Sequence, residues 1–184
     1  MGLTTYPTRP WAARTSSSVL MVNALAFVAT SLQVLVVGAF WGSWIGLSRS
    51  IDTLTPATFL EVGHVMMADY GPIMSVLMPA SVLLTLLTAL FVYAQQPVRG
   101  LLVGAGGVCF VAATATTLLV NVPIDVMMAG WTLDTLPSKW MDIRDQWEAF
   151  HTLRTFVTLG GLAATLGGLL MPAAAAVRTP RPRS

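Results

Sequence analysis

Four long apolar runs, residues 19–47, 73–94, 101–120 and 155–177, decide what this chain can fold into. Each reaches the roughly 20 residues that a helix needs to cross a hydrocarbon core about 30 Å thick. Lipid offers the backbone no hydrogen-bond partner, so each run must be helical. Of the 184 residues, 55% are hydrophobic and 10% charged, whereas soluble domains carry about 25% charged residues. With a mean hydropathy of +0.72, an ordinary water-soluble fold is excluded. The length suits one domain. The expected architecture is all-α: a transmembrane four-helix bundle, up-down-up-down, with partly helical outward connections. Residues 1–16 read as a cytoplasmic tail, 17–177 as the membrane domain and 178–184 as a second, basic cytoplasmic tail. No cleavable signal peptide is expected, because the first apolar run far exceeds the roughly 7–15 residues of a signal core.

The connections set the topology. Residues 95–100 form a tight turn between the second and third spans, and residues 48–72 and 121–154 form two longer links. Arg9, Arg14, Arg99, Arg178, Arg181 and Arg183 fall on the side of the termini, against Arg49, Lys139, Arg144 and Arg154 on the other. The excess of basic residues marks the cytoplasmic face, so both termini are expected inside a plasma membrane. The net charge of +2 suits lipid headgroups and does not point to nucleic acid. Thr55-Pro56 is a good helix start, with Pro72 expected to bend or break the chain before the second span. Ser138 is expected to cap a helix that runs from Lys139 into the fourth span. Pro79 predicts a kink, and Pro123 an end or kink in the third helix. Gly100-x-x-x-Gly104 and Gly160-x-x-x-Ala164-x-x-x-Gly168 read as small-residue faces for close helix approach. Cys109 is the one cysteine, which excludes an intrachain disulfide and reads as a small buried hydrophobe.

The residues that can carry chemistry converge near the outward ends of the second, third and fourth spans. Trp147, His151 and Arg154 share one helix face, and Glu148 neighbours His151 at i, i+3. A histidine and an arginine at the edge of a span are costly unless they face the bundle or water. Interfacial anchoring is the competing reading, with Arg154 snorkelling and the tryptophans in an aromatic belt. Asn121, just before Pro123, is expected to make a polar contact with the last helix. The only two histidines stand in Glu61-x-x-His64 and Glu148-x-x-His151. That spacing directs two side chains at one metal in di-iron carboxylate bundles, with Asp125 as a further carboxylate. The set is incomplete, since the first helix supplies no acid. Met66, Met67, Met127 and Met128 would add thioethers suited to copper, or serve as adaptable filler.

The segment Asn121-Val-Pro-Ile-Asp125, Trp131, Trp140, Arg144 and the run Trp147-Glu-Ala-Phe-His151-Thr-Leu-Arg154 resemble the anthrone oxygenase family of small four-helix membrane proteins. The specific patterns are N-x-P and W-x-x-x-H-x-x-R, and Tyr70-Gly71-Pro72 before a proline-bearing helix is similar too. Many members have a second asparagine after N-x-P, where this chain has Asp125. The resemblance implies oxidation of an anthrone to an anthraquinone by molecular oxygen, in aromatic polyketide pathways and with no obvious cofactor. An anthrone has an acidic C–H activated by a carbonyl. His151 could remove that proton, and Arg154 or Asn121 could hold the resulting oxyanion. A small, flat lipophilic aromatic substrate would come from the bilayer into a pocket lined by Trp41, Trp44, Trp131 and Trp147, with Asp125 beside it. Three readings stay open: this cofactor-free oxygenase; a metal-dependent oxidoreductase using iron or copper at Glu61, His64, Glu148 and His151; and a non-catalytic membrane protein locked by its polar cluster. Oligomeric assembly is left open.

Overall fold

The computed structural model describes residues 11–172, with side chains from residue 17 onward. Over the described residues the fold is all-α, with four helices long and apolar enough to cross a membrane and no strands. Helix α1 runs Trp11–Gly46, α2 Pro56–Gln95, α3 Pro97–Thr116, α4 Val122–Ala129 and α5 Trp140–Leu170. A five-residue π-helical turn, Thr117–Asn121, joins α3 to α4, so these form one span, Pro97–Ala129. Helix α1 packs on α2 and α5, and α3 packs on the same two, which closes a four-membered ring. The expected tails, apart from residues 11–16 at the start of α1, and residues 173–177 of the expected fourth span lie outside the described residues.

Several expected boundaries move, each for a physical reason. Helix α2 passes through Pro72 and Pro79 as one 40-residue helix; at 1.5 Å per residue it is about 60 Å long, so it projects well beyond a hydrocarbon core. Thr55 caps its start as expected, accepting from the Thr58 N–H with Pro56 in the first turn. Ser138 is not the cap of α5. That helix starts one residue later than expected, at Trp140, after Lys139 and without a side-chain cap. Helix α5 stops at Leu170, not near residue 177, because Met171 precedes Pro172 and adopts an extended ψ of 132°, the conformation a following proline imposes. Pro123 neither ends nor breaks the third span. The turn before it widens, so that the Val122 N–H reaches back five residues to the Thr117 carbonyl.

The small-residue faces also shift. Gly100 packs directly on the Tyr93 backbone, as expected, and α3 also meets α5 closely at Gly106 and Gly161: a Cβ on Gly106 would collide with Thr165 and with the Gly161 carbonyl. Gly168 meets the Arg99 carbonyl, whereas Gly160 faces open space and Gly104 meets only Ala89 at ordinary contact. Polar bonds lock the interior as well. Gln33, on α1 and fully buried, donates to Thr85 on α2 (2.9 Å) and Thr165 on α5 (3.2 Å). Arg99 caps the last carbonyls of α5, donating from Nε to Gly168 O (2.9 Å) and from Nη2 to Leu169 O. At the other end, Ile51, Phe59, Leu60, Ile124, Met128 and Trp131 form a buried lid over the bundle.

The two neighbouring glycines of α5 therefore separate packing from exposure. Gly161→Val, whose side chain would run into Cys109 and the Gly106 carbonyl, should lower stability by about 1–3 kcal/mol, the usual cost of overpacking, and Gly160→Val should change it little. Denaturant unfolding of the purified variants in one detergent checks both.

Candidate active site

Arg154 is buried on α5, with 7% exposure, at the level where the third span widens. Its guanidinium donates from Nε and from Nη2 to Nδ1 of His151, at 3.2 and 3.0 Å, and from Nη1 to the Thr117 hydroxyl at 3.0 Å. The face of Phe40, from α1, lies 4.5 Å away. Arginine has no acceptor atom, so Nδ1 of His151 must accept and the ring carries its N–H on Nε2. That Nε2 is buried and has no partner among the described residues. The ring is held flat against Trp147, with centroids 5.0 Å apart and planes at 15°, and edge-on to Phe40.

The second wall comes from the π turn and α4. Asn121 is fully buried and donates to the Trp147 carbonyl at 3.1 Å, the expected contact with the last helix. The Trp147 indole N–H donates to Oδ1 of Asp125 at 2.7 Å. No hydrogen bond engages the other carboxylate oxygen of Asp125 among the described residues. Thr117 returns its hydroxyl proton to the Ala113 carbonyl, leaving a lone pair for Arg154. The widened turn thus aims three side chains, Thr117, Asn121 and Asp125, at one face of α5.

These groups border a cavity of about 520 Å³ between α2 and the third span. Asp125, Trp147, His151 and Arg154 lie at its polar end. The opposite wall is a run of α2: Met66, Met67, Tyr70, Gly71, Met74 and Met78. Tyr70, Leu118, Val122 and Val126 border the cavity and are exposed on the outside of the bundle. The cavity therefore opens sideways between two spans.

The structure separates the sequence candidates. His151, Arg154, Trp147 and Asp125 line this cavity, and Asn121 braces it from behind. Trp41, Trp44 and Trp131 do not line it. Trp41 and Trp44 stack on each other and against Phe156, and the Trp44 indole donates to Thr152. Trp131 is buried in the lid. The Glu61, His64, Glu148 and His151 set is not assembled: Glu61 is exposed and His64 lies 3.3 Å from the Met128 carbonyl. Among the described residues no three His, Cys, Asp or Glu side chains converge as ligands. Sequence reasoning missed Phe40, the contact of Thr117 with Arg154 and the cavity-facing role of Met74 and Met78. Met66, Tyr70, Met74 and Met78 recur at helical spacing along α2, a signal that was available.

A family model described as anthrone oxygenase matches residues 69–164, a stretch that begins at the cavity wall on α2 and ends on α5 beyond Arg154. The chain belongs to the anthrone oxygenase family. No curated protein and no solved structure matches it. The family match includes Asp125, Trp147, His151 and Arg154, and α1 contributes Phe40 and Ser43 to the cavity from outside it.

The guanidinium contacts fix a measurable property of the ring. In a His64→Gln background, ¹⁵N NMR of His151 should show Nδ1 as the unprotonated nitrogen and Nε2 as the protonated one. Arg154→Met should abolish that preference; a ring with its proton on Nδ1 in the otherwise unchanged protein would contradict the geometry.

Proposed function

We propose that the chain is a membrane-embedded oxygenase that takes a flat lipophilic aromatic with an acidic C–H conjugated to a carbonyl, of the anthrone type, and oxidises it with O₂ without an organic cofactor. The observation that carries this reading is the double hydrogen bond from Arg154 to Nδ1 of His151, beside an apolar cavity that holds one carboxylate. Because Nδ1 is occupied, His151 serves as a donor through Nε2, and not as the base first expected of it. Asp125 is the better base: one oxygen is anchored by the Trp147 indole and the other is open to accept a proton. Arg154 has five N–H groups and commits three of them to His151 and Thr117. The remainder, with His151 Nε2–H, can hold the oxygen on which negative charge develops.

The C–H proton passes to Asp125, and the electron pair spreads onto the carbonyl oxygen beneath Arg154 and His151. This electron-rich carbanion adds O₂, and a proton completes a hydroperoxide. Loss of water from that carbon leaves the second carbonyl of a quinone. One substrate and one O₂ give one quinone and one water. Asn121 holds Trp147, and through it the Asp125 carboxylate, as a positioning residue. The sideways opening suits a substrate dissolved in the bilayer, with its body against the methionine wall, whose flexible thioethers adapt to flat rings. The termini are read as cytoplasmic, on the excess of basic residues at that end.

With purified protein, O₂ uptake on a soluble anthrone and quinone absorbance test this reading. Asp125→Asn should lower the rate by about 10²–10⁴-fold, the range of a lost general base. His151→Ala and Arg154→Met should also lower it. Rates unchanged in Asp125→Asn and His151→Ala, with folding intact, would leave the polar cluster a purely structural role.

A further inference from the structure

We propose that the end of the bundle opposite this site holds an anionic phospholipid, its phosphate at Arg99 and an acyl chain in a groove between α1 and α5. A second cavity of about 430 Å³ lies there and shares no lining residue with the first. Asn23, Gln95 and Arg99 border it near the turn between α2 and α3, and Ala26, Thr30 and Leu166 border it further along the helices. Asn23 to Thr30 spans about 10 Å of helix rise, so the groove runs from the interface toward the hydrocarbon. A soluble phosphate would leave that length empty, and the glycerol, ester and first methylenes of a phospholipid fill it.

Charge favours an anionic headgroup. Arg99 commits three N–H groups to Gly168 O, Leu169 O and Gln96 Oε1, leaving two of the five a guanidinium carries. No carboxylate lines the groove, and all eight acids lie within residues 52–69 and 125–148, toward the other end. Among the described residues the Thr30 hydroxyl is buried without a partner, whereas Thr88 and Thr114 bond back to their own helices. A glycerol or ester oxygen of the lipid would satisfy it. This proposal does not depend on the oxidation reading.

Native mass spectrometry of the full chain in detergent, titrated with phosphatidylglycerol and phosphatidylcholine, tests it. Phosphatidylglycerol should bind about fivefold more tightly, as expected for one basic residue worth about 1 kcal/mol near an anionic surface. Gln95→Glu puts a carboxylate at the mouth and Ala26→Phe fills the groove, and each should erase the preference. Gln95 is exposed, so its variant should keep the fold. Equal binding of both lipids to the natural chain, or a preference that survives in Gln95→Glu, would overturn the proposal. Displacement of bound lipid by glycerol phosphate alone would assign the site to soluble phosphate instead, and would also overturn it.

Discussion

A guanidinium buried in a membrane bundle must be satisfied, and most of the architecture around the cavity follows from how Arg154 is satisfied. An unpaired charge in a span is expensive, yet no carboxylate bonds Arg154. The ion pair among the described residues is Arg144 with Asp145, near the start of α5. Arg154 is held instead by an imidazole nitrogen, a threonine hydroxyl and an aromatic face. These supply acceptor density without cancelling the charge. On the proposed reading, a cation kept in this way would stay available to an anion that forms only during reaction, the arrangement that electrostatic preorganisation requires. Neutralisation by a bonded carboxylate would have given a more ordinary buried pair and a weaker site.

The acceptors depend on a local irregularity. Proline at 123 removes one backbone donor and would crowd the carbonyl four residues earlier in a regular helix. The chain accommodates it by widening the preceding turn, a π feature of the kind often found at functional positions. Continuing the span past Pro123 then brings Asp125 to the cavity and sets Asn121 against the Trp147 carbonyl. The irregular backbone is tolerated at membrane depth because it faces a cavity and α5. Trp147 joins the two halves, giving its indole N–H to Asp125 and its ring face to His151.

Much of this was legible in the chain itself. The four spans follow from apolar run length, because lipid leaves the backbone no alternative to a helix. The i, i+4, i+7 spacing of Trp147, His151 and Arg154 put them on one face, and that face is the buried one. Other features depend on what no local pattern contains. Pro72 reads as a breaker by the rules of soluble helices, but α2 runs through it. Trp41, Trp44 and Trp131 have the chemistry of a substrate pocket, but helix rotation turns two of them toward Phe156 and buries the third in the lid. Likewise Gly160 and Gly161 are indistinguishable by spacing alone, since one residue of phase decides which meets α3. The role of His151 could not be read either, because the nitrogen that carries the proton is set by the partner on the other one.

The position of Asp125 gives the site its direction. A carboxylate beside an arginine would ordinarily pair with it, and each would then blunt the other. Here the Trp147 indole claims one oxygen of Asp125, while His151 and Thr117 claim the facing N–H groups of Arg154. The two charges border the same cavity without bonding each other. On the proposed reading, a substrate lying between them would meet an acceptor for its acidic C–H and donors for its carbonyl oxygen, held apart before it arrives. The methionine wall across the cavity presents no competing hydrogen bond, so the polar edge of a flat ring has one end of the cavity to turn toward. Orientation then follows from the distribution of polarity, and the sideways mouth needs only to admit an apolar body.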